Sequence, residues 1–347
     1  MKTVFLAAGV LGALGLAGLT FASSVAEEAL WKQARQYYRP LRAPEVPTQG
    51  PRAVQVKLGR MLFHDPRLSR SGVISCNTCH NLATYGTDNL PTSLGHGFVP
   101  GPRNSPTVFN AALHSRQFWD GRARDVEEQA LGPILNPKEM AMPASEQVIE
   151  RIASIPEYVA LFKQAFPDQK NPVNYRNIGV AIGAFERLLL TPSRFDKYLE
   201  GDRKALTARE KRGLKLFLDT GCAACHSGVA VGGMVFQKFV KPGEDPERAD
   251  VGRYAVTQNP KDRHVFKAYS LRNIARTYPY LHDGSVWDLG EVVRIMATVQ
   301  HNRSLPSDQV ADIVAFLNSL TGEIPAVARE LPVLPPSRLN TPRPSLE

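Results

Sequence analysis

The sequence predicts a mainly α-helical protein built as two related domains, with little β-structure. Three observations carry that reading. The pentad Cys-x-x-Cys-His occurs at Cys76-Asn77-Thr78-Cys79-His80 and again at Cys222-Ala223-Ala224-Cys225-His226. Short segments around the two pentads recur in the same order. Outside them, apolar residues recur at spacings of three and four, the helical period. The pentad is the attachment site of a c-type haem. Its two thiols take up the haem vinyl groups as thioethers, and the histidine, here His80 or His226, is held beside them as the proximal iron ligand. All four cysteines are consumed, so no disulfide framework remains. A thioredoxin-like dithiol does not need a histidine directly after the second cysteine, and a zinc site would need more ligands nearby. Two covalently bound haem c groups are therefore expected, in two cytochrome c-like haem domains related by internal duplication.

At 347 residues the chain has room for two cores. Met1-Lys2 and the apolar run Val4 to Ala22 read as an export signal, with Ser24-Val25-Ala26 as a small-x-small cleavage site, giving residues 1–26 as a signal peptide. An uncleaved membrane anchor is the competing reading; the many Gly and Ala residues weaken it. Export to the periplasm agrees with haem c attachment outside the cytoplasm. Leu30 to Pro51 reads as a linker or an extended N-terminal arm. The first domain is assigned to residues 45–190, the second to 191–322, and 323–347 to a proline-rich tail packing along the surface.

The duplication rests on four echoes. Gly59-Arg60-Met61-Leu62-Phe63 answers to Gly213-Leu214-Lys215-Leu216-Phe217, and Arg103-Asn104 to Arg272-Asn273. Trp119-Asp120-Gly121 answers to His282-Asp283-Gly284. Each Asp-Gly turn then leads into an acidic amphipathic helix, at Asp125-Val126-Glu127-Glu128 and at Leu289-Gly290-Glu291-Val292. Thr191-Pro192 ends an apolar helix bearing Ile178, Ile182 and Phe185, and Thr207-Ala208-Arg209-Glu210 is a capping box that opens the next. Val310, Ile313, Val314 and Leu317 mark a last helix, stopped near Gly322 and suited to pack across the entry helix of its domain. The formal charge of +9 is spread, without a basic run interleaved with aromatics. That excludes nucleic acid and suits a field that steers a protein partner.

The chemistry turns on the ligand opposite each proximal histidine, because a haem with two strong axial ligands transfers electrons and one with an open position binds small molecules. For the first haem the candidates are His96, in the glycine-flanked loop Ser93-Leu94-Gly95-His96-Gly97, and His114. A histidine in such a loop can swing on and off iron as the loop rearranges. For the second the candidate is Met296, whose thioether would raise the potential; as one of a row of apolar residues it reads equally well as a core filler.

The chain resembles the bacterial di-haem cytochrome c peroxidases from about Leu58 to the Thr341–Pro344 tail. The matching segments are Asp65-Pro66-Arg67-Leu68-Ser69, both pentads, Arg103-Asn104-Ser105-Pro106-Thr107, Phe118-Trp119-Asp120-Gly121-Arg122, Asn136-Pro137-Lys138-Glu139-Met140, Leu271-Arg272-Asn273 and Thr277-Tyr278-Pro279-Tyr280-Leu281-His282-Asp283-Gly284-Ser285. The resemblance implies that His96 is the displaceable distal ligand of a low-potential peroxidatic haem and Met296 the axial ligand of a high-potential one. It implies Glu139 as the carboxylate beside the peroxide site, Gln129 as its polar neighbour, and Trp119 as the tryptophan between the haems. A calcium site is implied at the Asn104 side chain and the carbonyls of Thr277 and Pro279. His64 departs from the family pattern and is not assigned as a ligand.

The implied reaction is reduction of hydrogen peroxide to water with two electrons from a small redox protein, a cytochrome c or a cupredoxin, in a homodimer. A carboxylate such as Glu139, in a largely apolar pocket, can take a proton from peroxide and return it to the leaving oxygen. Two rivals remain. A MauG-like maturation oxidase has a tyrosine in place of the axial methionine, and a plain di-haem electron carrier would not need Glu139.

Overall fold

Glycine lets the two longest helix pairs touch backbone to backbone, and these pairs organise the two halves of the chain. The computed structural model describes residues 25–346; the signal-peptide assignment, apart from residues 25 and 26, lies outside the described residues. We number the helices of seven or more residues. They are α1 (25–37), α2 (Gly50–His64), α3 (Ser145–Ala153), α4 (Pro156–Ala165), α5 (Tyr175–Glu186), α6 (Arg194–Glu200), α7 (Ala208–Asp219), α8 (Leu289–His301) and α9 (Ser307–Asn318). Helix α2 packs on α5 so closely that a Cβ on Gly59 would lie 1.8 Å from the Ala181 carbonyl oxygen. Helix α7 packs on α9 in the same way, with a Cβ on Gly213 falling 1.9 Å from the Asp312 oxygen. Gly59 and Gly213 open the two echoed segments, so the repeated pattern marks a repeated close approach. Any larger residue would separate the helices.

One core gathers apolar residues of α2, α3, α4 and α5, among them Leu58, Leu62, Ile152, Phe162 and Ile182. A second gathers Phe195, Tyr198, Leu214, Phe217, Ile313 and Phe316. Leu30, Ala34 and Tyr38 belong to this second core. Residues 25–37 are thus helical, not an extended arm, because Leu30 and Ala34 share one helix face and Tyr38 follows on it. Trp31 adds to the docking by donating its indole N–H to the Tyr198 carbonyl at 3.1 Å.

The capping box on α7 is present: Thr207 Oγ1 accepts the Glu210 N–H at 3.2 Å and Glu210 Oε2 accepts the Thr207 N–H at 2.7 Å. Helix α9 stops at Asn318, before Gly322, as its periodicity predicts. Acidic capping residues open the two helices after the Asp-Gly turns. Asp125 caps the single turn Val126–Gln129, and Asp288 caps the much longer α8.

Buried polar networks fasten the halves together. Thr191 Oγ1 accepts the side-chain amides of Asn110 at 2.8 Å and Asn273 at 2.9 Å, and all three residues are fully buried. Within the second half, Arg272 forms a two-pronged bond to Asp196, at 2.8 and 2.7 Å, also fully buried. Removing one partner of such a pair typically costs about 3–5 kcal/mol, because the other charge is stranded. The echoed Arg103 plays a bridging part: it binds Asp120 at 2.7 Å and grips Asp250 at 2.6 and 2.8 Å.

The small antiparallel ribbon of β1 (Phe236–Lys238) and β2 (Val265–Lys267) pairs Phe236 with Lys267. The tail runs over the first core. Arg67, held by buried Asp65, reaches the Pro335 carbonyl at 2.8 Å, and Ser154 meets Thr341 at 2.8 Å. No helix among the described residues is long and apolar enough to cross a membrane.

Candidate active site

Each pentad coils into a single turn, which explains its spacing. The N–H of His80 bonds the Cys76 carbonyl at 2.9 Å, and that of His226 bonds the Cys222 carbonyl at 3.0 Å. Both cysteines and the histidine of each pentad thereby face one cavity. Ser75 and Thr78 cap the first turn, with the Ser75 N–H donating to Thr78 Oγ1 at 2.9 Å.

The second cavity is lined by Cys222, Cys225 and His226, and by Met296 of α8 in an apolar wall with Val293 and Leu317. His226 Nδ1 lies 3.1 Å from the Tyr269 carbonyl, so as a donor there it leaves Nε2 free for a metal. Burial pushes this imidazole down to about 4, so it is neutral, the form in which it ligates.

The first cavity, of about 640 Å³, is lined by Cys76, Cys79 and His80, and by Gln129, Glu139 and Met140. The His80 ring is buried with Nδ1 unpaired, and burial favours its neutral form. Glu139 is largely enclosed. Burial raises its pKa, while Arg122 and a 2.6 Å bond from the Asn136 amide oppose the rise.

His96 does not itself line this cavity; its neighbour Gly95 does. The His96 N–H donates to the Glu139 carbonyl at 2.7 Å, and its Nδ1 is buried without a partner. Gly95 lies against the Lys138–Glu139 backbone, where a Cβ would come within 1.9 Å of the Lys138 oxygen. The loop bearing His96 is therefore latched to the peptide bearing Glu139. Its outer residues Leu94, Phe98 and Val99 are exposed.

His114, the other histidine considered for the first iron, lines neither cavity. It is buried with Nδ1 3.2 Å from Lys267 Nζ, so the fold has turned it into a partner for a lysine. His64 likewise lies outside both cavities and contacts the Arg60 carbonyl at 2.9 Å.

Trp119 and Tyr269 line both cavities and so form part of the wall between them. The Trp119 indole donates to the Asn104 carbonyl at 2.9 Å. Asn104, Thr277 and Pro279 come together in the lining of the second cavity. The Asn104 amide nitrogen donates to the Leu90 and Pro91 carbonyls at 3.0 and 3.3 Å. The trio offers neutral oxygen donors, which suit a hard cation such as calcium; among the described residues no cluster of three His, Cys, Asp or Glu competes for a metal.

The sequence profile of the di-haem cytochrome c peroxidase family matches residues 53–204, and that of cytochrome c matches residues 210–321. The cytochrome c551 peroxidase of Pseudomonas aeruginosa is 50% identical over 341 residues, covering 96% of this chain and 97% of that protein. The chain belongs to the di-haem cytochrome c peroxidase family. As a family member it is an oxidoreductase that acts on peroxide and carries two haem c groups, and the two cavities with their cysteines, neutral histidines and Met296 fit that cofactor. The methylamine utilization protein MauG of Methylorubrum extorquens is more distant, at 35% identity over 91% of each chain. Among solved structures, a MauG-like protein associated with microbial copper homeostasis superposes with a TM-score of 0.72 at 30% identity, over 84% of this chain and 95% of that one.

Four residues of the peroxidase site escaped the sequence reading. Arg122 stands in the first cavity with its guanidinium 3.4 Å from the Phe118 ring centre, close enough to act on Glu139. It lies inside the quoted Phe118–Arg122 segment, which was the available signal. Glu186, at the end of α5, turns a fully buried carboxyl into the same cavity, and burial pushes it up to about 8. Tyr269 and Lys267 had no signal, since only the fold brings them to Trp119.

Proposed function

We propose that this enzyme reduces hydrogen peroxide to water in the periplasm, with two electrons delivered singly by a small reduced redox protein, a c-type cytochrome or a cupredoxin. The observation that carries the reading is Glu139: a carboxylate with a raised pKa in the cavity of the first pentad. When bound, the two haems supply an iron at which peroxide can bind and a second iron that stores an electron beside it. Glu139 takes one proton as peroxide binds and returns it to the departing oxygen, as a carboxylate whose pKa is raised by burial can. Gln129 orients the peroxide from the same wall. Arg122 opposes the rise in the Glu139 pKa and so favours its carboxylate form.

His96 serves as the gate. Its loop leaves and returns as a unit, because its N–H and the Gly95 contact both end on the Glu139 peptide. His96 would be the residue that holds and frees the first haem, and Asn104, Thr277 and Pro279 would hold a calcium that couples the halves. Electrons enter near Cys222 and Cys225 and cross at Trp119. The exposed Leu94, Phe98 and Val99 give the moving loop a surface for the second copy of a homodimer. Met296 in the second cavity supports peroxidase over MauG-like chemistry, and Glu139 supports it over a plain electron carrier.

The reading is tested by following peroxide-dependent oxidation of a reduced c-type cytochrome with Glu139→Gln. Loss of a general acid–base group should lower kcat by about 10²–10⁴-fold with both haem spectra unchanged. Undiminished turnover would remove Glu139 from the chemistry.

A further inference from the structure

Lys267 places an amine in the lining of the second cavity, against the Tyr269 ring of the wall between the two, and no step above uses it. It is 2% exposed, on β2. Its neighbour Phe266 stacks on His282 at 4.3 Å, so strand alternation turns Lys267 to the other side. There Nζ donates to the Arg116 carbonyl at 2.6 Å and to His114 Nδ1 at 3.2 Å, and sits 4.2 Å from the centre of the Tyr269 ring. The Lys267 N–H bonds the Trp119 carbonyl at 2.8 Å, and the Trp119 and Tyr269 rings lie 4.3 Å apart. Asp120, the acid whose charge acts on Lys267, is already paired with Arg103 at 2.7 Å and Arg122 at 3.1 Å. A buried ammonium without its own carboxylate costs stability that an apolar side chain would not. A buried amine set against an aromatic ring at that cost is a candidate for a functional role.

We infer that Lys267 is a positioning charge that keeps Tyr269 and Trp119 reduced during turnover, so that the oxidising power of peroxide is drawn off through the haem sites and the donor and not into the protein wall. The inference rests on the peroxidase reading. A cation against an aromatic face is attracted to the neutral ring and opposes the positive charge left when an electron departs. Peroxide takes two electrons and two protons as its O–O bond breaks to give two waters. Without this protection, one electron would leave the Tyr269 ring to give the radical cation that Lys267 opposes, and the phenol would then give up one proton, leaving a neutral tyrosyl radical. The other electron would be the one loaded beforehand, and the second proton would come from solvent.

The test is electron paramagnetic resonance on holoenzyme loaded with one electron, mixed with one equivalent of hydrogen peroxide without donor and frozen. Lys267→Met keeps the length and removes the charge. It should give an organic radical in a yield roughly tenfold or more above wild type. The signal's hyperfine pattern should change on incorporation of ring-deuterated tyrosine or tryptophan. A second arm needs no variant. Burial pushes the Lys267 ammonium down to about 7, with His114, Tyr269 and Asp120 facing it and Arg103 and Arg122 beyond. Wild-type radical yield per peroxide consumed should therefore rise from about pH 6 to about pH 9, while that of Lys267→Met stays level. A Met variant with wild-type haem spectra and no added radical, or a wild-type radical of equal yield at low pH, overturns the inference. If neither protein consumes peroxide, the peroxidase reading falls and takes the inference with it.

Discussion

The ring of Tyr269 lies 4.3 Å from the indole of Trp119, centre to centre, while the Tyr269 carbonyl sits 3.1 Å from His226 Nδ1. One residue thus touches both the proximal histidine of the second pentad and the tryptophan that lines the first cavity. This is a direct connection between the two sites, and the proposed electron path runs along it.

Trp119→Phe interrupts that connection without opening a charge or stranding a buried carbonyl beyond Asn104. The expected result is a fall in kcat of about tenfold with KM for peroxide little changed, because Glu139 and Gln129 stay in place in the first cavity. Stopped-flow reduction of the first haem by the second should slow in parallel. A drop in KM-dependent binding alone would assign Trp119 to packing.

Gly95→Ala drives a methyl group into the Lys138 carbonyl, where the Cβ has only 1.9 Å. The loop must lift, and the His96–Glu139 backbone bond goes with it. The oxidised variant should show high-spin haem and a shortened or absent need for pre-reduction. An oxidised spectrum identical to wild type would show that the latch does not hold His96.

Glu186 predicts a pH-dependent stability. Its carboxyl is pushed up by burial to about 8, from an ordinary value of 4.5. Between those values the unfolded chain has lost the proton that the folded one keeps, so stability from this group falls as pH rises from about 4.5 to about 8 and is level above. Glu186→Gln cannot ionise. Relative to wild type, the variant should gain on the order of 1.4 kcal/mol for each pH unit climbed across that window. Thermal unfolding of both holoproteins at several pH values reads the gap; a gap independent of pH would contradict the assignment.

Local signals were legible wherever a few adjacent residues carry the whole instruction. The pentads, the Thr207–Glu210 capping box and the 3.6-residue period of α5 and α9 are of this kind, and each helix lies where its pattern places it. Gly59 and Gly213 were visible as echoes, though their purpose, a backbone contact, needed the fold. Within the arm expected over Leu30–Pro51, residues 30–37 were misread because Pro40, Pro44 and Pro47 just beyond them suggested an extended chain, while the docking face of Leu30 and Ala34 was too sparse to stand out. Loop and spacing alone left His114 beside His96 as a candidate, since Lys267, which bonds His114, lies in the other half of the chain. The same distance hid Tyr269 from Trp119.

The most direct test compares peroxide-driven oxidation of a reduced small c-type cytochrome by two forms of the enzyme: wild type pre-reduced by one electron with calcium present, and oxidised His96→Gly. The account expects rapid turnover from both, with oxidised wild type slow by comparison. If neither turns over while both haems still exchange electrons, His96 is no gate and the chain is an electron carrier, not a peroxidase.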